Sequence, residues 1–252
     1  MRAQLMLGLN EALGRITTFV KSRGLPDAAV ECISRCARGL TGERVVIARS
    51  YLLSQAIERL PARTLGGRSK ILVRPIDSAD AVLEKMPRPR KELEARFSAG
   101  SKCFVAEIHG ELAGFCWLHA GTFYDWEIAV SFAPSPPEQC VWDFDLYVVP
   151  KFRLGPTFVT LWAAIREYLL ERGIRWSVSR VWAENDASLR THLRMGAMPV
   201  GSAYTVRMGN RFLNIVNGKH WHLSGGARQA PVLEVQAAET KRCWRLGALV
   251  QS

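Results

Sequence analysis

The chain has 252 residues, more than a usual single domain and fewer than two full ones, so one sizeable core with extensions is expected. Its 48% apolar and 23% charged residues, with 20 Gly and 12 Pro, exclude a disordered, collagen-like or disulfide-scaffold chain. The 34 basic residues exceed the 23 acidic ones by 11, and residues 1–70, with 12 against 5, hold most of that excess. Such a balance suggests an anionic partner of unspecified kind, although a basic helical face is also an ordinary solvated surface. The six cysteines form no C-x-x-C pair and have no His-x-x-x-His partner, which speaks against a zinc site and for reduced thiols in a cytoplasmic protein. Glu11 and Arg15 interrupt the first apolar stretch, and no run of about 18 apolar residues occurs elsewhere, so a soluble chain without a membrane span is expected.

In chain order, apolar residues at helical spacing predict amphipathic helices over residues 3–21 and 26–39, with Gly24 and Gly39 near their ends. A third helical-looking stretch runs from Val45 to Leu60 and stops at Pro61. Gly66 and Gly67 mark a linker after it, which predicts a domain boundary near residue 70. Ile71 to Ile76 then reads as a strand, Asp77 to Lys85 and Lys91 to Phe97 as short helices. Lys102 to Ile108 and Leu112 to Ala120 read as two strands joined through His109, Gly110 and Glu111. Thr122 to Val130 adds strand character, and Pro134 to Pro137 is expected to be a loop, since proline cannot serve a central ladder.

Val141 to Val149 reads as the next strand. Strict alternation would put Asp143, Asp145, Tyr147 and Val149 on one face and Phe144, Leu146 and Val148 on the other. A helix follows over Thr157 to Arg172 and stops at Gly173, then a strand over Ile174 to Trp182. Asn185 caps a helix over Asp186 to Met195 that Gly196 ends. Val200 to Arg207 and Phe212 to Val216 read as closing strands, extended by Lys219 to Leu223, and residues 225–252 as a loosely held tail. Two histidines at strand spacing, His220 and His222, lack a third ligand, so no metal is expected.

Three segments in this order resemble the GCN5-related N-acetyltransferase (GNAT) superfamily: the hairpin Phe104 to Phe115, Asp145-Leu-Tyr-Val-Val-Pro150 before a helix, and Asn185 to Gly196. The resemblance covers about residues 71–216. It implies an α/β fold with a mixed, mostly antiparallel sheet and helices on both faces, preceded by a basic helical extension over 1–70 and followed by the tail. It also implies transfer of an acyl group from acetyl-CoA or another acyl-CoA to an amine, without a metal. The donor would lie along Tyr147, Val148 and Val149, with its phosphates against Lys151, Arg153, Leu154, Gly155 and Thr157, and with Asn185 and Ser188 beside the pantetheine. The family's phosphate loop is richer in glycine: Arg153-Leu-Gly-Pro-Thr-Phe158 keeps only Gly155, and Pro156 has no N–H to donate.

The proton of the incoming ammonium needs a base. Asp145 and Asp143 are the nominees, with Glu127 a distant third. Where the family commonly has a tyrosine to protonate the leaving thiolate, this chain has His192, and an imidazole can do the same task. Trp117, Phe123, Tyr124, Trp126, Trp142 and Tyr147 are expected on the acceptor side, with core packing as their alternative use. Two other readings stay open: a long-chain N-acyltransferase fed by an acyl carrier protein docked on the basic extension, and a non-catalytic acyl-CoA sensor. Nucleic acid binding comes last, because no helix carries regularly spaced base-reading side chains.

Overall fold

The computed structural model describes residues 25–42, 44–62, 70–217, 220–224 and 230–237. Helix α1 (Leu25–Thr41) leads into β1 (Val45–Ala56), followed by β2 (Ile71–Ile76), a 3-10 turn at Ala81–Lys85 and α2 (Arg90–Ser98). The hairpin β3 (Lys102–Ile108) and β4 (Glu111–Ala120) turns through His109 and Gly110, both at positive φ, as a two-residue hairpin of matching twist requires. Next come β5 (Phe123–Asp125), β6 (Val130–Ser135), β7 (Cys140–Val148), α3 (Thr157–Leu170), β8 (Trp176–Trp182) and α4 (Asp186–Arg194). The described chain closes with β9 (Met198–Met208), β10 (Arg211–Val216), β11 (His220–Ser224) and β12 (Val232–Gln236).

Nine strands form one sheet in the order β11-β10-β9-β1-β8-β7-β4-β3-β2, and β12-β6-β5 form a second, small sheet. Within the large sheet only β7 and β8 run parallel. Helix α3 covers one face, packing Leu161, Trp162, Ile165 and Leu169 against Phe104, Cys116, Leu118 and Val141. Leu189 of α4 joins Tyr51, Leu53 and Val181 nearby. The opposite face carries α2 over Val105, Phe115 and Trp117, and the small sheet over Leu52, Trp142 and Val178. The architecture is therefore the mixed, mostly antiparallel α/β sheet with helices on both faces that the resemblance implied.

Four expectations are corrected. Residues 45–60 are not a helix: β1 runs through the middle of the sheet, between β8 and β9. Its alternation is hidden because both faces are covered, Leu52 by one cluster and Tyr51 and Leu53 by the other. The boundary expected near residue 70 consequently fails, since a strand from before it is built into the core. The tail is ordered in its middle: β12 pairs with β6, Val235 and Ala237 are buried, and Ser54 Oγ donates to the Ala237 carbonyl at 2.7 Å. Finally, Pro134 belongs to β6, because β5 ends opposite Phe132 and asks for no N–H at that position. The helix expected over 3–21, the linker over 63–69 and residues 238–252 lie outside the described residues.

Candidate active site

The site begins where β7 and β8 part. Their pairing covers only Cys140 to Trp142 against Trp176 to Val178, so beyond Trp142 the β8-facing edge of β7 has no strand beside it, while its other edge stays paired with β4 as far as Val148. An extended ligand can add itself to such an edge through backbone hydrogen bonds.

The register between β4 and β7 slips by one residue here: Trp117 faces Phe144, but Phe115 faces Tyr147. The extra residue is Asp145, at φ 47°, a β-bulge that bends the strand. The bulge corrects the expected sharing of faces. Asp143 lies with Val141 and Leu146 on the α3 side, whereas Phe144, Tyr147 and Val149 pack on the α2 side. Gly114 stands against this bend, where an added Cβ would lie 2.7 Å from the Tyr147 carbonyl oxygen. Gly114→Ala is therefore expected to push β4 from β7 at a cost of about 1–3 kcal/mol and to weaken donor binding, measured by thermal melting and by acyl-CoA titration.

The two carboxylates have different surroundings. Asp145 accepts from Arg88 Nε at 2.9 Å and Nη2 at 2.5 Å, and from Arg96 Nη1 at 2.5 Å. The Arg96 side chain is 5% exposed and also pairs with Glu92. Its guanidinium carbon lies 5.1–5.2 Å from the ring centroids of Trp117, Trp126 and Phe144. Asp143 is 3% exposed and accepts from Ser177 Oγ at 2.5 Å. Burial pushes its carboxyl above the ordinary carboxylate range, against the pull of His192 and the hydrogen bonds from Ser177 and Ser179. His192, buried on α4, has its Nδ1 2.8 Å from the Ser188 carbonyl oxygen, so Nδ1 carries a proton and Nε2 is left for other chemistry.

Two cavities meet at the gap between β7 and β8. The one on the α3 side, about 780 Å³, is lined by residues 143–148, Arg153, Asn185, Ser188 and His192. The one on the α2 side, about 360 Å³, is lined by Arg96, Phe123, Asp125, Trp126 and Trp142 among others. Arg88, Glu127, Asp143, Phe144, Asp145 and Arg180 line both. The cleft thus runs through the sheet, with the carboxylates of Glu127, Asp143 and Asp145 where its two halves join.

Residues 72–197, half of the chain, match the Acetyltransferase (GNAT) family. The chain belongs to that family. No curated protein sequence matches it. Among solved structures, a conserved protein of unknown function from Staphylococcus epidermidis is 11% identical, with 68% of this chain and 65% of that one covered at TM-score 0.46. A tandem GNAT protein of clavulanic acid biosynthesis is 14% identical over 65% and 55% of the two chains, at TM-score 0.42. An aminoglycoside N-acetyltransferase solved with CoA is 23% identical over 50% and 90%, at TM-score 0.39. This GNAT chain thus spans slightly under two thirds of the length of the Staphylococcus protein.

Within the GNAT domain the nominated residues fall into two groups. Asp143, Asp145, Tyr147, Val148, Arg153, Asn185, Ser188 and His192 come together around the larger cavity. Lys151, Leu154, Gly155 and Thr157 do not line it. Lys151 pairs with Glu111 on the surface, Leu154 is fully exposed, and Gly155 N donates to the Phe152 carbonyl. Thr157 is buried at the start of α3, where no side chain caps the helix, and its hydroxyl has no protein partner. Val149 is held in the sheet by its N–H to the Ala113 carbonyl. Asn185 caps α4 through Ser188 N at 3.2 Å. Of the aromatic set, Phe123, Trp126 and Trp142 line the smaller cavity and Tyr147 the larger, whereas Trp117 is core beneath Arg96.

Arg88, Arg96 and Arg180 are the residues that sequence reasoning does not single out. Arg180, one turn of pleat past the end of β7–β8 pairing, donates from Nε to Asp125 and from Nη2 to Glu127. Its partners lie more than fifty residues away in the chain, so no local spacing announces them. Among the described residues no helix is long and apolar enough to cross a membrane, and no three His, Cys, Asp or Glu side chains are grouped to hold a metal. Burial pushes the thiols of Cys103 and Cys116 up, which keeps them protonated and unreactive.

Proposed function

We propose that this GNAT protein transfers an acyl group from acyl-CoA to an amine. The unpaired edge of β7 beside a buried Asp143 and His192 is the observation that carries the reading. The pantetheine arm lies along residues 145–148 in the larger cavity, and the phosphates meet the uncapped start of α3, where helix N–H groups favour an anion. Arg153, which donates from Nε to the Val148 carbonyl at 3.1 Å, adds charge at that end, and the ion pair of Lys151 with Glu111 is solvent-exposed and weak.

Asp143 takes the ammonium proton in this mechanism, since its raised affinity for a proton suits a base, and the carboxylate oxygens of Asp145 are already engaged by two guanidinium groups. The freed amine forms a C–N bond to the acyl carbon as the C–S bond breaks. His192 Nε2, which carries no proton at rest, accepts one from the acylated nitrogen and passes it to the thiolate. The acceptor enters from the smaller, aromatic cavity, and Glu127 stands at the junction.

The test is release of free CoA thiol from acetyl-CoA and longer acyl-CoA in the presence of an amine panel, with acyl carrier protein thioesters as a parallel donor. Amine-dependent release is expected. An acyl-CoA that binds without any release makes the protein a sensor, and release from the carrier donor alone moves the donor assignment.

A further inference from the structure

The smaller cavity carries a pattern that acyl transfer alone does not need, and the ligand class it selects rests on reading that cavity as the acceptor's. Its guanidinium groups are matched by more carboxylates than they require. Arg180 is held by Asp125 and Glu127, Arg96 by Glu92 and Asp145, and Arg88 shares Asp145. Four carboxylates for three guanidinium groups leave one negative charge in surplus before Asp143 is counted.

That surplus lies at Glu127. Both of its side-chain hydrogen bonds, from Arg180 Nη2 and Trp182 Nε1, fall on Oε2, so Oε1 has no protein partner, and the side chain is 49% exposed. Next to it Trp126, a residue 44% exposed, lines the cavity wall. Arg180 supplies an independent sign of a ligand: its side chain is only 5% exposed, yet Nη1 is buried without a hydrogen-bond partner while the residue lines both cavities. A buried donor of this kind is costly unless something accepts from it.

The turn that presents these groups is fixed from behind. Asp125 Oδ1 accepts from Glu127 N at 3.0 Å, buried Asn214 donates to the Ile128 carbonyl at 2.7 Å, and Ser224 Oγ donates to the Ala129 carbonyl at 3.0 Å. A wall held this way presents its groups in one arrangement instead of adapting to many ligands.

We propose that the acceptor is a cationic amine with a neutral oxygen, carbonyl or hydroxyl, close to its amino group and an apolar body beyond it. Glu127 Oε1 takes the ammonium, Arg180 Nη1 donates to the oxygen, and Trp126 covers the apolar part. A carboxylate in place of the neutral oxygen would enter between Asp125 and Glu127, whose charges already outweigh that of Arg180. A free zwitterionic amino acid is therefore the poorer ligand, and its amide or alcohol the better one.

Phenylalaninamide, phenylalaninol, phenylalanine and phenethylamine share one skeleton and separate these features. Calorimetric titration of the full chain without donor is expected to show the amide or the alcohol binding about 10-fold tighter than phenylalanine and about 5-fold tighter than phenethylamine. The better of the two identifies the oxygen. Glu127→Gln, an exposed substitution, is expected to weaken the best ligand about 5-fold and to narrow its lead over phenylalanine. Phenylalanine binding as well as the amide and alcohol, phenethylamine matching them, no effect of Glu127→Gln, or no binding of any cation would each overturn the proposal. Thiol release from acyl-CoA with the same four compounds reads the underlying activity separately. Binding in the expected order without release removes acyl transfer and keeps the ligand class, whereas release in a different order does the reverse.

Discussion

Asp143→Asn is expected to lower turnover by about 100-fold or more, the usual contribution of a positioned base, while the fold survives. Asparagine keeps the volume and an oxygen to accept from Ser177, yet it cannot take a proton. A second readout comes from stability. Burial raises the carboxyl of Asp143 in the folded chain above its value in the unfolded chain, about 3.9. The stability that the protonated carboxyl contributes is fully present below the unfolded value and is lost as pH rises through the folded one, because the unfolded chain ionises first. Asparagine suffers no such loss. The melting temperature of the variant relative to the parent should accordingly become more favourable as pH rises above about 4. A constant difference across that range would mean that His192 and the serines offset the burial. Turnover that falls only in step with the folded fraction would take Asp143 out of the chemistry.

The parts of the fold that were legible in the sequence are those whose signal is local. His109-Gly110 forces a two-residue turn, and Asn185 and Gly196 start and stop α4 through cap and positive φ, so hairpin and closing helix stand where the residues place them. Strand β1 was not legible, because cover on both faces removes the alternation that marks a strand and leaves an apolar run that also fits a helix. Strand β12 was hidden for a different reason: five residues that follow a polar, glycine-containing segment have no pattern of their own until β6 supplies a partner. At the site, the sequence pointed to Asp143, Asp145 and His192 and put Asp145 ahead of Asp143, the reverse of the order proposed above. One inserted residue at position 145 turns the strand over, and a bulge has no composition signature when the residue at positive φ is not glycine. The Arg88, Arg96 and Arg180 pairings that engage the carboxylates of Asp145 and Asp125 span 49 to 57 residues of chain, and only the packed sheet brings them together.

Asp145→Asn is expected to act on stability instead of chemistry. The side chain is 12% exposed and accepts from both Arg88 and Arg96, and Arg96 lies under three aromatic rings at 5% exposure. Removing the carboxylate leaves a buried guanidinium with Glu92 as its remaining ion pair. Breaking a buried pair from one side costs about 3–5 kcal/mol; the lower end applies here, because Glu92 remains and Arg88 is 29% exposed. A loss of about 3 kcal/mol corresponds to a fall of roughly 6–12 °C in melting temperature for a chain of this size. Backbone strain is not the cause, since asparagine accepts a positive φ as readily as aspartate does. Turnover per folded molecule, measured well below the new melting temperature, should stay within a few-fold of the parent if Asp143 is the base. The reverse pattern, an unchanged melting temperature with turnover lost, would make Asp145 the proton acceptor and reduce the Arg88 and Arg96 contacts to a resting arrangement that substrate displaces.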